Sequence, residues 1–72
     1  MLLNISVVSL AAYCNYDLDY FVKLLRQFGI KRKKNLTKDD LIKIRSFLVR
    51  CKDLTYKRKM LLLRVDLLLN ED

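Results

Sequence analysis

Gly29 is the only glycine of the chain, and there is no proline. So little turn chemistry predicts helices joined by few tight turns and argues against a β-sandwich or barrel. The glycine also stands where a helix should end. Before it, Leu18, Phe21, Val22, Leu25 and Phe28 recur at helical spacing, the apolar stripe of an amphipathic helix. Asp17 is placed to cap the start of that helix. Gly29 supplies the left-handed residue that often closes one. Asp19, Tyr20, Lys23, Arg26 and Gln27 fall on the opposite face.

Upstream, Leu2 to Val7 reads as an extended start rich in branched residues. A short helix then begins at Ser6 or Ser9 and carries Val7, Leu10, Ala11 and Cys14 on one side. Asn15 breaks it. Two helices joined by a turn of about three residues form a helix-turn-helix shape. Downstream, Ile30 to Leu36 is a basic connector with room for a strand. Thr37 caps a third helix, with Asp39 and Asp40 in its first turn, where the helix dipole favours acids. Its main stripe is Leu41, Ile44, Phe47, Leu48 and Cys51. Ile42 and Val49 add a second strip, which predicts burial on two sides. Lys52 to Lys59 breaks the period. Beyond it, MLLLRVDLLL is apolar almost all round a helix, so it belongs in a core or at an interface. For LTYKRKMLLLR a strand is the alternative, although leucine favours the helix.

Seventy-two residues allow one domain with a small interior. The expected fold is mostly α, with a small α+β variant. It comprises a compact helix-turn-helix-like three-helix unit, one or two short strands and a leucine-rich C-terminal helix. Residues 1–52 form the helix-turn-helix-like part, and residues 53–72 a basic connector with the leucine-rich segment. Fifteen Lys and Arg against eight Asp and Glu leave a net charge of +7. That field suits RNA, DNA or an acidic protein face, while the bland reading is solubility. Clustering of Lys31, Arg32, Lys33 and Lys34 tips the balance towards a polyanion.

Cys14 and Cys51 are isolated and no histidine accompanies them, so metal ligation is not expected. Buried free thiols in a reducing cytoplasm are the default. The start, MLLNISVVSLAAYC, lacks a basic leader, and Tyr13 occupies the position where a lipobox needs a small residue. It therefore reads as a folded element rather than a signal. Met60 to Leu69 is too short to span a membrane and contains Arg64 and Asp66.

Enzyme signatures are missing: no histidine, no GxxxxGK, no GxGxxG and no GxSxG. Asp39 and Asp40 are neighbours on a helix and do not face each other. Ser6 and Ser9 have no base to activate them. The chain therefore reads as noncatalytic and without a cofactor. Its candidate nucleic-acid contacts are Lys23, Arg26, Lys31, Arg32, Lys33, Lys34, Lys57, Arg58 and Lys59. Lysines act on phosphate as point charges, whereas Arg26 and Arg32 can bind it bidentately. Tyr20 and Tyr56 offer rings to unpaired bases. Against this, a run of charge is commonly a solvated face, and Asp19 with Lys23 makes an ordinary i,i+4 pair. Met60, Leu62, Val65 and Leu69 are the candidate interface, for a second copy or another protein.

Val7, Leu10, Ala11, Asn15, Phe21, Leu25, Phe28, Gly29 and Ile30 together resemble the small N-terminal domain of bacterial translation initiation factor two. That family has a V-x-x-L-A start and apolar positions ten, fourteen and seventeen residues after the alanine, closing in Gly-Ile or Gly-Val; here the spacing from Ala11 fits at each. SLAAYCN and GIKRK look like its enterobacterial form. LTKDDLIKIRSFL is similar to its third helix, and LTYKRK to the stretch that follows. The resemblance covers about residues 3 to 59 and rests on joint spacing rather than on one specific motif. It implies a mostly helical module with one or two short strands that makes an auxiliary contact with the ribosome or RNA. The family's GTPase and initiator-tRNA-binding domains have no counterpart here, so neither activity carries over. A winged helix-turn-helix regulator of the mercury-resistance type has a similar pattern, but its Arg-x-x-Tyr signature is missing.

Three expectations follow. The first is a basic RNA- or ribosome-binding module linked to translation initiation. The second is a dimeric DNA-binding regulator reading bases with Tyr20, Lys23, Arg26 and Gln27. The third is a protein-interaction module docking through its C-terminal segment.

Overall fold

Ser6 ends one element and starts the next. In the computed structural model, which describes residues 4–71 and the side chains of residues 5–70, it closes strand β1 (Asn4–Ser6) and caps helix α1 (Val7–Tyr13). The Ser9 N–H donates to its hydroxyl at 3.3 Å, satisfying a donor that a helix start otherwise leaves unpaired. Of the expected extended start, Leu2 and Leu3 lie outside the described residues. Asn15 turns the chain at a φ of 60°, a left-handed conformation that asparagine tolerates better than most residues. Asp17 then caps α2 (Leu18–Gln27), accepting from the Tyr20 N–H at 3.3 Å.

The end of α2 is set by Gly29, at φ 83°. The Gly29 N–H donates to the Arg26 carbonyl and the Ile30 N–H to the Leu25 carbonyl, both at 3.0 Å. This bond pair is the Schellman arrangement, and Ile30 and Leu25 are both buried beside it. Strand β2 (Asn35–Thr37) pairs antiparallel with β1, with Ile5 opposite Leu36. Thr37 ends that strand and caps α3 (Lys38–Arg50) in a full capping box: Thr37 N–H donates to Asp40 Oδ2 at 2.9 Å, and Asp40 N–H to Thr37 Oγ1 at 3.3 Å. Thr55 accepts from the Arg58 N–H at 3.3 Å, at the start of α4 (Tyr56–Glu71). Residues 56–71 are thus helix, and the strand alternative for this region is set aside.

The fold is mostly helical with one small two-stranded sheet among the described residues. One core runs through all of it, with Leu10, Phe21, Leu24, Leu36, Leu41, Ile44, Leu48, Leu61 and Val65 wholly enclosed. Leu61, Val65 and Leu68 of α4 belong to that core, so α4 shares one interior with α1, α2, β2 and α3. Arg45 Nε donates to Asp66 Oδ1 at 2.6 Å and ties α3 to α4. The Arg64 guanidinium lies 4.3 Å from the centre of the Tyr13 ring and ties α4 to α1.

Several expected core positions need correction. Ile42 and Val49 are exposed, so α3 is covered on one side only. α4 docks against the stripe Leu41, Ile44 and Leu48 and leaves the second strip uncovered. Phe47 is also exposed, although its ring meets Phe28 at 5.2 Å, and Cys51 is half-buried. In α2, Leu18 is exposed at the rim and Leu24 takes its place inside. Both cysteines are free, and Cys14 is buried. Burial pushes the Cys14 thiol up, partly opposed by the nearby Arg64 charge.

Candidate nucleic-acid interface

Ile30 and Leu36 fix the basic run at its two ends. Both are buried, and every residue between them is exposed. The apolar anchors leave Lys31, Arg32, Lys33 and Lys34 only the surface to occupy. The Val7 N–H donates to the Lys34 carbonyl at 3.0 Å, holding the end of the connector against the start of α1. This connection lays the connector beside the polar face of α2.

Between them lies a groove of about 710 Å³. Lys23 and Arg26 of α2 line it together with Arg32, Lys33 and Lys34 of the connector. Val8 and Val22 contribute apolar floor, and Asp19 is the one carboxylate among the lining residues. Five of the nine expected nucleic-acid contacts therefore meet in one place. Lys31 is exposed without lining this groove, and Lys59 is exposed at the start of α4.

Lys33 needs a correction. Its Nζ donates to Asp40 Oδ2 at 2.5 Å, so it is already paired with a carboxylate. Asp40 is buried and also accepts from the backbone and hydroxyl of Thr37. Burial pushes the Asp40 carboxyl up, but the bonds from Lys33 and Thr37 outweigh it and hold the group below its ordinary value. Lys33 shapes the connector more than it supplies free charge. Lys23, Arg26, Arg32 and Lys34 are the residues of this groove best placed for phosphate.

Lys57 and Arg58 are brought elsewhere. They line a second groove of about 600 Å³ with Tyr16, Tyr20, Thr55 and Tyr56. Tyr16 was not among the residues expected from the sequence. It is 9% exposed, its ring lies 5.9 Å from that of Tyr20 and 5.3 Å from that of Phe21, and Lys57 Nζ sits 5.7 Å from its centre. Its position in the turn between two helices hid it from any periodicity. The aromatic pair at i and i+4, Tyr16 and Tyr20, was the available signal.

The expected C-terminal interface divides. Val65 is fully enclosed in the chain's own core and has no surface to offer a partner. Met60, Leu62 and Leu69 are half-buried. Leu63 at 59% and Leu67 at 52% exposure are the open leucines of α4, one turn apart. Spacing from Leu61 would have separated them: residues four and seven further on share its face, and residues two and six further on do not.

Among the described residues no cluster of three or more His, Cys, Asp or Glu could hold a metal ion. None of their helices is long and apolar enough to cross a membrane. No protein family, curated protein or solved structure matches this chain. The likeness to the initiation factor domain therefore rests on the residues quoted for it.

Proposed function

We propose that the chain is a noncatalytic RNA- or ribosome-binding module, linked to translation initiation and working in the cytoplasm. The observation that carries this reading is the groove in which Lys23 and Arg26 of α2 meet Arg32 and Lys34 of the connector. Several cations gathered along one groove suit a phosphate backbone, whose neutralisation releases counterions and drives binding without any reacting group. The resemblance of residues 3 to 59 to the initiation factor domain supports RNA as the polyanion. Two free thiols well apart in sequence support a reducing compartment. A filter-binding assay with structured RNA tests the reading. The intact chain should retain the RNA, and the double charge reversal Arg26→Glu with Arg32→Glu should abolish retention while circular dichroism stays unchanged. Equal retention by the variant would refute it.

One observation favours a second reading. The face formed by Tyr20, Lys23, Arg26 and Gln27 is exposed, and α2 follows α1 after a four-residue turn. Such a helix can enter a major groove and read base edges. Selection from random DNA duplexes separates the two: an enriched site establishes the regulator, and its absence leaves RNA.

A further inference from the structure

The second groove, lined by Tyr16, Tyr20, Tyr56, Lys57 and Arg58 among others, shares no lining residue with the first. We propose that it seats one unpaired nucleotide, with the base against Tyr20 and Tyr56 and the phosphate against Lys57 and Arg58. The inference rests on the RNA reading and specifies the state of the strand.

Tyr20 is 51% and Tyr56 77% exposed, and both line this groove. They come from different elements. Asp17 caps α2 and sets Tyr20 in its first turn, while Thr55 opens α4 and sets Tyr56, Lys57 and Arg58 in its first turn. Tyr16 lies beneath. Its ring is within 13° of parallel to Tyr20, so Phe21, Tyr16 and Tyr20 form an aromatic series that runs from the core to the surface. A base laid on the open side of Tyr20 continues that series by one ring. The Tyr16 hydroxyl is buried and has no hydrogen-bond partner, where a buried polar atom ordinarily has one.

The charge fits the same ligand. Lys57 and Arg58 outnumber the one carboxylate of the lining, Asp17, and that carboxylate is occupied in capping α2. Rings and cations side by side take an anion that carries a flat π-face, which describes a nucleotide. Bases in a duplex have both faces covered by their neighbours, so only an unpaired one can use exposed rings. Tyr20 and Lys23 stand one helical turn apart. A strand with its backbone in the first groove can therefore cross α2 into the second.

The test uses the intact chain and three probes of equal length: a single-stranded oligouridylate, its abasic counterpart, and an RNA duplex. Binding is read by anisotropy of a labelled probe and by quenching of tyrosine emission, which is observable because the chain has four tyrosines and no tryptophan. Stacking of one base should make the oligouridylate bind roughly five- to hundredfold more tightly than the abasic strand. The double variant Tyr20→Leu with Tyr56→Leu should lose that difference and keep its affinity for the abasic strand. The corresponding phenylalanine pair should restore it. Equal affinity of the wild type for both strands, or preference for the duplex, overturns the nucleotide site and leaves the phosphate groove standing. Binding to none of the three overturns both.

Discussion

Lys33 Nζ and Asp40 Oδ2 are bonded, which ties the third residue of the basic run to the first turn of α3. The same carboxylate closes the capping box with Thr37. One group thus holds the connector and starts the helix.

Acid should release that hold. The Asp40 carboxyl is held below its ordinary value of 3.8, so its ionised form favours the folded state. The stability it contributes is present above the unfolded value and is lost as pH falls through the folded one. Asp40→Asn should lower stability near neutrality by about 1–3 kcal/mol, the scale of hydrogen bonds to a charged acceptor. It should also flatten the decline below pH 3.8. Urea unfolding across that range measures both effects, and an unaltered acid limb in the variant would disprove the assignment.

Gly29→Ala should destabilise the chain although its Cβ would meet nothing within 4 Å. The cost is conformational, because φ is 83° there and an L-residue is disfavoured in the left-handed region by about 1–2 kcal/mol. Thermal unfolding checks this. Asn15→Gly, at a φ of 60°, should be tolerated by the same argument.

Local signals made much of this fold legible. Ser6, Asp17, Gly29 and Thr37 mark where the helices begin or end, because caps act within a few residues. Phe21, Leu25 and Phe28 lie on one stripe, and all three are buried. What escaped depended on distant parts of the chain. Ile42 and Val49 looked as apolar as Leu41 and Ile44, and only the docking of α4 decides which strip of α3 is covered. The pairing of Ile5 with Leu36 spans most of the first half of the chain and has no local mark. The basic run was visible as a candidate site. Its meeting with Lys23 and Arg26 depended on where the connector returns, and the pairing of Lys33 with Asp40 on which carboxylate it meets there.

Two leucines of α4 should behave as opposites. Leu61 is wholly enclosed and Leu63 is 59% exposed. Leu61→Ala should cost about 2–5 kcal/mol, whereas Leu63→Ser should stay within about 0.5 kcal/mol. Equal losses in urea unfolding would show that the face of α4 is wrongly assigned.

Self-association, if this chain pairs with a second copy, should pass through the open leucines rather than through Val65. Leu63→Asp with Leu67→Asp should then lower the apparent mass in light scattering and leave the helices intact. Val65→Asp should unfold the chain, because that side chain has no exposed area. A wild type that stays monomeric at high concentration removes the dimer from the account.

The most direct test of the phosphate groove is the salt dependence of RNA binding by the intact chain and by the variant in which Lys23, Arg26, Arg32 and Lys34 are all alanine. Each phosphate contact on a single strand steepens the log–log slope by roughly 0.7. The variant slope should be shallower by up to about 3, with weaker binding at every salt concentration. An identical slope for the two proteins would contradict it and reduce the basic groove to a solvated surface.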